Sequence, residues 1–116
     1  MVLVVGGIAS GKRSYARALG FSDAQMGTQL YDGRPVLCSL EELLRQGELD
    51  ASGLADVMRR DVVLCCEVGM GVVPLDADQR AWRERVGRSC NELAAQATRV
   101  VRMVCGIPVV LKEEES

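Results

Sequence analysis

The feature that most constrains this chain is a glycine-rich segment that directly follows its first apolar run. Residues 2–5 are apolar throughout, which is typical of a strand buried on both faces of a parallel sheet. The next residues fit G-x-x-x-x-G-K and lead into a helical pattern, an order that predicts a phosphate-binding loop. The predicted loop consists of Gly6, Gly7, Ile8, Ala9, Ser10, Gly11, Lys12, Arg13 and Ser14.

The chemistry of such a loop follows from its small residues and its lysine. Small side chains let the backbone fold tightly, so successive N–H groups converge on phosphate oxygens while Lys12 adds a mobile positive charge. The alternative is a glycine-rich turn with an exposed lysine, and the position directly after the first strand argues against it. A dinucleotide fingerprint fits worse, because it needs glycine where Ile8 stands. We therefore expect the loop to bind nucleotide phosphates.

One position of the loop departs from the pattern. The residue after Lys12 normally gives Mg²⁺ a hydroxyl ligand, but Arg13 stands there and the serine follows as Ser14. Because one residue turns a helical side chain by about 100°, Ser14 cannot simply replace that hydroxyl. Mg²⁺ binding is expected to be weakened, and Arg13 either offsets phosphate charge or is solvated in the first helical turn.

Composition narrows the class of protein further. The 116 residues suit one domain over residues 1–116, and a content of 48% apolar but only 3% aromatic residues predicts an aliphatic core. A net charge of −2 provides no electrostatic footprint for wrapping nucleic acid. Because no apolar run approaches the about 20 residues of a spanning helix, we expect a cytoplasmic protein without a membrane span. The five cysteines match no zinc pattern, and histidine is absent. We expect the adjacent Cys65 and Cys66 to be buried thiols, because they lie in an apolar run.

The rest of the chain alternates strand and helix patterns, which predicts an α/β fold with a mainly parallel sheet flanked by helices. We expect the apolar runs that begin at Val2 and Asp61 to be adjacent parallel strands. Ser39 and Glu42 form a predicted capping box, and Asp76 is expected to cap a long helix. The remaining predictions are helices over 12–19 and 54–59, an irregular mobile loop over 21–34, and strands over 34–38, 100–105 and 109–111.

Two motifs together point to a known family. With the glycine loop near one end and the stretch EVGMGVVP at residues 67–74, the sequence resembles the adenosylcobinamide kinase/adenosylcobinamide-phosphate guanylyltransferase family. The second motif is the diagnostic one. The likeness continues through the long helix and the ending, at Arg80, Trp82, Arg83, Gly87, Arg88 and residues 105–112.

The resemblance implies a small RecA-like P-loop domain that uses ATP or GTP and acts on adenosylcobinamide late in cobalamin assembly. It implies that the loop holds the triphosphate and that Glu67 lies beside it, as a water-mediated Mg²⁺ ligand or as the acceptor of the substrate proton. A structural carboxylate bonded to loop N–H groups is the alternative for Glu67. Glu42 matches a glutamate that helps hold the guanine nucleotide, although helix capping explains it equally well. The resemblance also implies a homo-oligomer.

The sequence departs from the family in its middle. Gln29 and Leu30 stand where the family carries its guanylylated histidine, and the region between Leu44 and Arg60 lacks the family's longer central part with its Walker B carboxylate. Without an imidazole nucleophile, guanylyl transfer by the family route is excluded. Two hypotheses remain. One is a shortened cobinamide-kinase-like enzyme, and the other is a catalytically weak nucleotide-binding accessory or sensing protein.

Overall fold

The strands form one sheet that places the glycine loop near its centre. The computed structural model describes residues 1–67 and 76–114, and the strand order within these ranges is β2-β3-β4-β1-β5-β6. Strands β1 to β5 pair in parallel with one another, and β6 is antiparallel to β5. The strands are β1 Val2–Gly6, β2 Met26–Gly27, β3 Val36–Leu37, β4 Val62–Cys66, β5 Arg99–Val104 and β6 Ile107–Glu113.

Helices cover both faces of this sheet, because alternate residues of the central strands point to opposite sides. Leu3 belongs to the core that packs against the later helices, whereas Val4 belongs to a second core that contains Ala16. The predicted fold class, a mainly parallel α/β sheet flanked by helices, is confirmed. The helices are α1 Lys12–Ala18, α2 Leu40–Leu43, α3 Ala51–Met58 and α4 Ala77–Gln96.

The two apolar runs singled out in the sequence are neighbours. Val2 of β1 pairs with Val62 of β4 in parallel register, and the ladder continues to the pair of Gly6 and Cys66. The amide of Glu67 then donates to the carbonyl of Gly6 at 2.8 Å. The prediction that the glycine loop and Glu67 share one sheet edge is therefore confirmed.

Helix boundaries follow local signals in two places. Asp76 accepts a hydrogen bond from the amide of Gln79 at 2.7 Å, which confirms the predicted cap of α4. Gly20 takes a positive φ of 106° just after α1, as expected of a residue that ends a helix. α3 begins earlier than predicted, because Asp50 caps it by accepting from Gly53 at 2.7 Å.

Two sequence predictions are wrong. Residues 21–34 are not irregular throughout: Asp23–Gln25 form a 3₁₀ turn and β2 follows, held where Arg34 donates to the carbonyl of Met26 at 2.7 Å. The capping box at Ser39 does not form, because Ser39 has a left-handed φ of 60° rather than the extended conformation of a capping residue. The glycines after Glu67 lie in residues 68–75, outside the described residues.

Candidate functional site

The glycine loop has the backbone geometry of an anion cradle. Ala9 and Gly11 take left-handed φ values of 58° and 96°, and helix α1 begins at the next residue. Alternation of left- and right-handed residues turns successive N–H groups toward one side of the backbone. The first amides of a helix also have no partner inside it. The loop therefore presents backbone donors where a phosphate oxygen can accept them.

Gly6 is required by close packing beneath this loop. A Cβ atom at Gly6 would lie 2.5 Å from Ser10 Oγ and 2.9 Å from the carbonyl oxygen of Met103. Gly7 differs, because a Cβ there would meet nothing within 4 Å. Ser10 is also tied to the β5–β6 turn, since its carbonyl accepts from the amide of Gly106 at 3.0 Å. The loop is thus fixed from below while its upper side stays open.

Lys12 folds back over the loop. Its Nζ donates to the carbonyl of Gly7 at 2.7 Å and to that of Gly6 at 3.2 Å. Both acceptors are neutral, so a phosphate oxygen is a stronger partner for the same ammonium group.

A cavity of about 570 Å³ opens over the loop. Residues 8–14 line it on one side and are called the loop wall here. A second group, called the helical wall, consists of Glu41, Glu42, Arg45 and Trp82. Glu67 and Cys66 at the end of β4 also line the cavity. Its volume lies within the range of about 300–1,000 Å³ that is usual for small-molecule sites.

Side-chain hydrogen bonds hold the helical wall together. Trp82 Nε1 donates to the carbonyl of Glu41 at 2.8 Å, which fixes the indole of α4 against α2. The carboxylate of Glu41 is buried and accepts from the amide of Cys66 at 2.8 Å. Arg45 lies over Trp82, with its guanidinium carbon 3.9 Å from the ring centroid, and donates to Glu42 at 2.8 Å. Two helices and a strand therefore converge on this wall.

Glu67 makes an ion pair that sequence analysis did not foresee. Arg102 donates from Nε to Oε1 at 2.8 Å and from Nη2 to Oε2 at 3.2 Å. The two side chains come from β5 and the end of β4, which flank β1 on opposite sides. A bidentate arginine fixes the orientation of the carboxylate through two parallel hydrogen bonds. Glu67 is thus held in place beside the loop.

The donors near the loop do not fit a metal site built by the protein. Arg13 occupies the position of the usual hydroxyl, and both oxygens of Glu67 are engaged by Arg102. Among residues 1–67 and 76–114, no cluster of three or more potential ligand side chains could hold a metal ion. The described residues beside the loop therefore offer no metal site built by the protein alone.

Two thiols line the cavity but are poor nucleophiles. Burial raises the pKa of the Cys38 thiol and of the Cys66 thiol, so both stay protonated at neutral pH. Cys65 is buried, as the sequence predicts, whereas Cys66 is only half-buried. Neither cavity thiol is therefore a ready nucleophile at neutral pH.

The cavity brings together most of the residues predicted from the sequence. Ile8 to Ser14, Glu42 and Glu67 line it, whereas Gly6 and Gly7 support it through their backbone. Sequence analysis missed Glu41, Arg45 and Arg102, and it named Trp82 only as part of the family resemblance. The one sequence feature that could have drawn attention to the helical wall is that Trp82 is the sole tryptophan of the chain.

Comparison with protein families agrees with the motifs. The model described as cobinamide kinase / cobinamide phosphate guanyltransferase matches residues 40–111, more than half of the chain. The chain belongs to this family. A comparison with curated proteins finds no match. The family match includes the helical wall and Glu67 but begins after the glycine loop, so the loop assignment rests on its own motif and geometry.

None of the helices in the two described ranges combines the length and hydropathy needed to cross a bilayer.

Proposed function

We propose that this family member binds ATP or GTP on residues 6–14 and phosphorylates the side-chain hydroxyl of adenosylcobinamide. The observation that carries the proposal is that Lys12, the rest of the loop wall and the Glu67 carboxylate line one cavity. Phosphoryl transfer needs a phosphate cradle, charge neutralisation and a group that receives the hydroxyl proton. We expect residues 1–116 to act as one cytoplasmic nucleotide-binding domain.

Each residue has a defined part in this reaction. The acceptor oxygen attacks the γ-phosphorus, and the nucleoside diphosphate leaves. Lys12 moves from the loop carbonyls to the phosphate oxygens and stabilises the charge of the transition state. Glu67 takes the proton of the attacking hydroxyl, while Arg102 keeps its carboxylate oriented. Arg13 supplies a second positive charge at the start of α1.

A phosphate-transfer assay tests the enzymatic part of the proposal. We expect slow transfer of γ-labelled phosphate from ATP or GTP to adenosylcobinamide by the wild-type protein. Glu67→Gln removes the proton acceptor while keeping the shape of the side chain, so transfer should fall strongly with little change in nucleotide affinity. Arg59→Ala, a change outside the cavity, is the control.

The second candidate is a nucleotide-binding accessory or sensing protein. Two observations favour it: Arg13 replaces the hydroxyl ligand of Mg²⁺, and Arg102 occupies both carboxylate oxygens of Glu67. Wild-type protein that binds nucleotide but transfers no phosphate would support this candidate and contradict the kinase.

Covalent guanylyl transfer is not part of the proposal. The chain contains no histidine, and both cavity thiols are protonated. Incubation with α-labelled GTP should therefore leave no label on the denatured protein. Stable labelling would mean that another nucleophile, such as Lys12, replaces imidazole.

We also propose that the protein forms a homo-oligomer through its β6 edge. Among the described strands β6 pairs with β5 alone, and Ile107, Val109, Val110 and Leu111 are exposed along it. An apolar edge strand can extend its sheet by pairing with a second copy of itself. Sedimentation should show an assembly that Val110→Lys dissociates, and a monomeric wild-type protein would contradict this.

A further inference from the structure

The helical wall carries a flat, charged surface that the proposed phosphate chemistry does not use. Arg45 lies with its guanidinium carbon 3.9 Å from the centroid of the Trp82 ring. Both side chains line the same cavity as the loop wall. A planar cation stacked on an indole is a common platform for aromatic ligands, because both groups present extended π surfaces. The phosphate-binding residues lie elsewhere in the cavity, so this surface needs a separate explanation.

The platform is preformed. Trp82 is fixed through its ring nitrogen on the carbonyl of Glu41 at 2.8 Å, and it packs against the core beneath. Arg45 is fixed at its Nε by Glu42 at 2.8 Å. A ligand that stacks here therefore meets a surface that hydrogen bonds already hold in place, which lowers the entropy cost of binding.

The platform is also accessible. The side chains of Arg45 and Glu42 are 51% and 57% exposed, although their mutual ion pair is well formed. Trp82 covers one face of the guanidinium, so the exposure of Arg45 leaves its other face available to the cavity. Glu42 adds a carboxylate that accepts hydrogen bonds at the edge of this surface.

We infer that Arg45, backed by Trp82, stacks against the purine base of the nucleotide whose phosphates lie on the loop wall. This inference rests on the proposed nucleotide binding. The order of the stack is indole, guanidinium, base. A base fits better than a second anionic group, because the Glu42 carboxylate pairs with Arg45 and Glu41 also lines the cavity. The cavity volume of about 570 Å³ leaves room for a base in addition to the phosphates.

Trp82 provides a direct readout because it is the sole tryptophan. The wild-type protein is titrated with GTP, with ATP and with inorganic tripolyphosphate, which fills the loop but has no base. Both nucleotides should change the emission of Trp82 and bind more tightly than tripolyphosphate. Tripolyphosphate should bind with little change in emission.

Substitution of Arg45 separates stacking from charge. In calorimetry, Arg45→Ala should weaken GTP binding by roughly tenfold to a hundredfold, the usual contribution of one stacked base. Its affinity for tripolyphosphate should stay unchanged. Arg45→Lys keeps the charge but loses the plane, so it should be nearly as weak as Arg45→Ala. Arg59→Ala, which removes an exposed arginine outside the cavity, should bind GTP as the wild type does.

The outcomes distinguish this inference from the proposed function. If the wild-type protein binds neither GTP nor tripolyphosphate, nucleotide binding itself is wrong. If GTP binds no more tightly than tripolyphosphate, or binds without changing Trp82 emission, the stacking role is overturned while the loop assignment stands. Wild-type GTP affinity in Arg45→Lys would overturn it as well, because charge alone would then suffice.

Discussion

The two walls of the cavity are built in opposite ways. The loop wall consists of consecutive residues whose shape comes from backbone conformation, with left-handed Ala9 and Gly11 turning the chain. The helical wall is assembled from distant residues, since Glu41 and Trp82 are 41 positions apart and meet through one hydrogen bond. A local motif suits phosphate, which backbone amides can bind. An assembled surface suits a ligand that needs stacking and side-chain specificity.

This difference predicts where each wall is vulnerable. The loop wall should depend on single glycines, whereas the helical wall should depend on tertiary contacts that lie far from the cavity. One such contact is the buried ion cluster around Arg60, which holds the chain leading into β3 and on to α2. A substitution that affects the loop wall should therefore act locally, whereas the helical wall should respond to substitutions far from the cavity.

The largest effect on stability is expected from Arg60→Ala. Arg60 is only 4% exposed in its side chain and bonds to Asp32 and Asp56 at 2.8 Å each. Removing it leaves the carboxylates of Asp32 and Asp56 without their buried cationic partner, which should lower the free energy of unfolding by about 3–5 kcal/mol. Arg59→Ala is the matched control, because the Arg59 side chain is 71% exposed and its Nη2 lies 3.8 Å from Asp56 Oδ1, too far for a hydrogen bond. Urea denaturation of both variants checks this.

The same cluster predicts a pH dependence. Burial, the largest single influence, raises the pKa of Asp32 and of Asp56, but hydrogen bonds and the Arg60 charge outweigh it and hold both pKa values below the ordinary range. A lowered pKa stabilises the fold above the unfolded pKa of about 3.9. This stability should be lost as the pH falls through the folded values. The loss should be smaller in Arg60→Ala than in the wild type.

Gly6→Ala should have the next largest effect and should act on the loop wall. Its Cβ would clash with Ser10 and with the carbonyl of Met103, so the free energy of unfolding should fall by about 1–3 kcal/mol. Gly7→Ala is the control for stability, because a Cβ there has open space. Equal unfolding free energies for the two variants would contradict the packing described for the loop.

Glu41→Gln tests the helical wall more gently. The carboxylate of Glu41 accepts from the amide of Cys66, and a charged acceptor makes a stronger bond than the neutral amide that replaces it. Unfolding free energy should fall by about 1 kcal/mol. Glu42→Gln, at an exposed position, should leave unfolding nearly unchanged. If Glu42→Gln lowered the unfolding free energy as much as Glu41→Gln does, the buried bond between Glu41 and the Cys66 amide would contribute no more than an exposed carboxylate.

The smallest effect is expected from Arg13→Ser. The change returns a hydroxyl to the position after Lys12 and offers Mg²⁺ an oxygen ligand that the wild type lacks. Nucleotide binding should become Mg²⁺-dependent and a few-fold stronger in calorimetry with added metal. If a folded variant shows no gain, Arg13 belongs to a metal-independent mode of binding, and the sensing role is favoured over the kinase.

The contrast between the walls also explains what the sequence could predict. Residues 2–14 carry strand, loop and helix signals in one stretch, so the loop and its place in the sheet followed from local pattern. Parallel pairing of β1 and β4 followed because residues 2–5 and 62–66 are both continuous apolar runs. The contacts of Arg45 and Arg102, and the packing of Trp82 against α2, were not predictable, since the partners lie far away in sequence. The capping box predicted at Ser39 was wrong, because the sequence pattern does not reveal the left-handed backbone conformation of Ser39 before α2.

Calorimetry of Lys12→Ala tests most directly whether residues 6–14 hold the triphosphate, as we propose. Loss of one charged hydrogen-bond donor should weaken binding of both GTP and tripolyphosphate by roughly tenfold to a hundredfold. Arg17→Ala removes a charge from the same helix, where Arg17 pairs with Asp23, and should bind both ligands as the wild type does. Wild-type affinity in a folded Lys12→Ala protein would contradict the loop assignment.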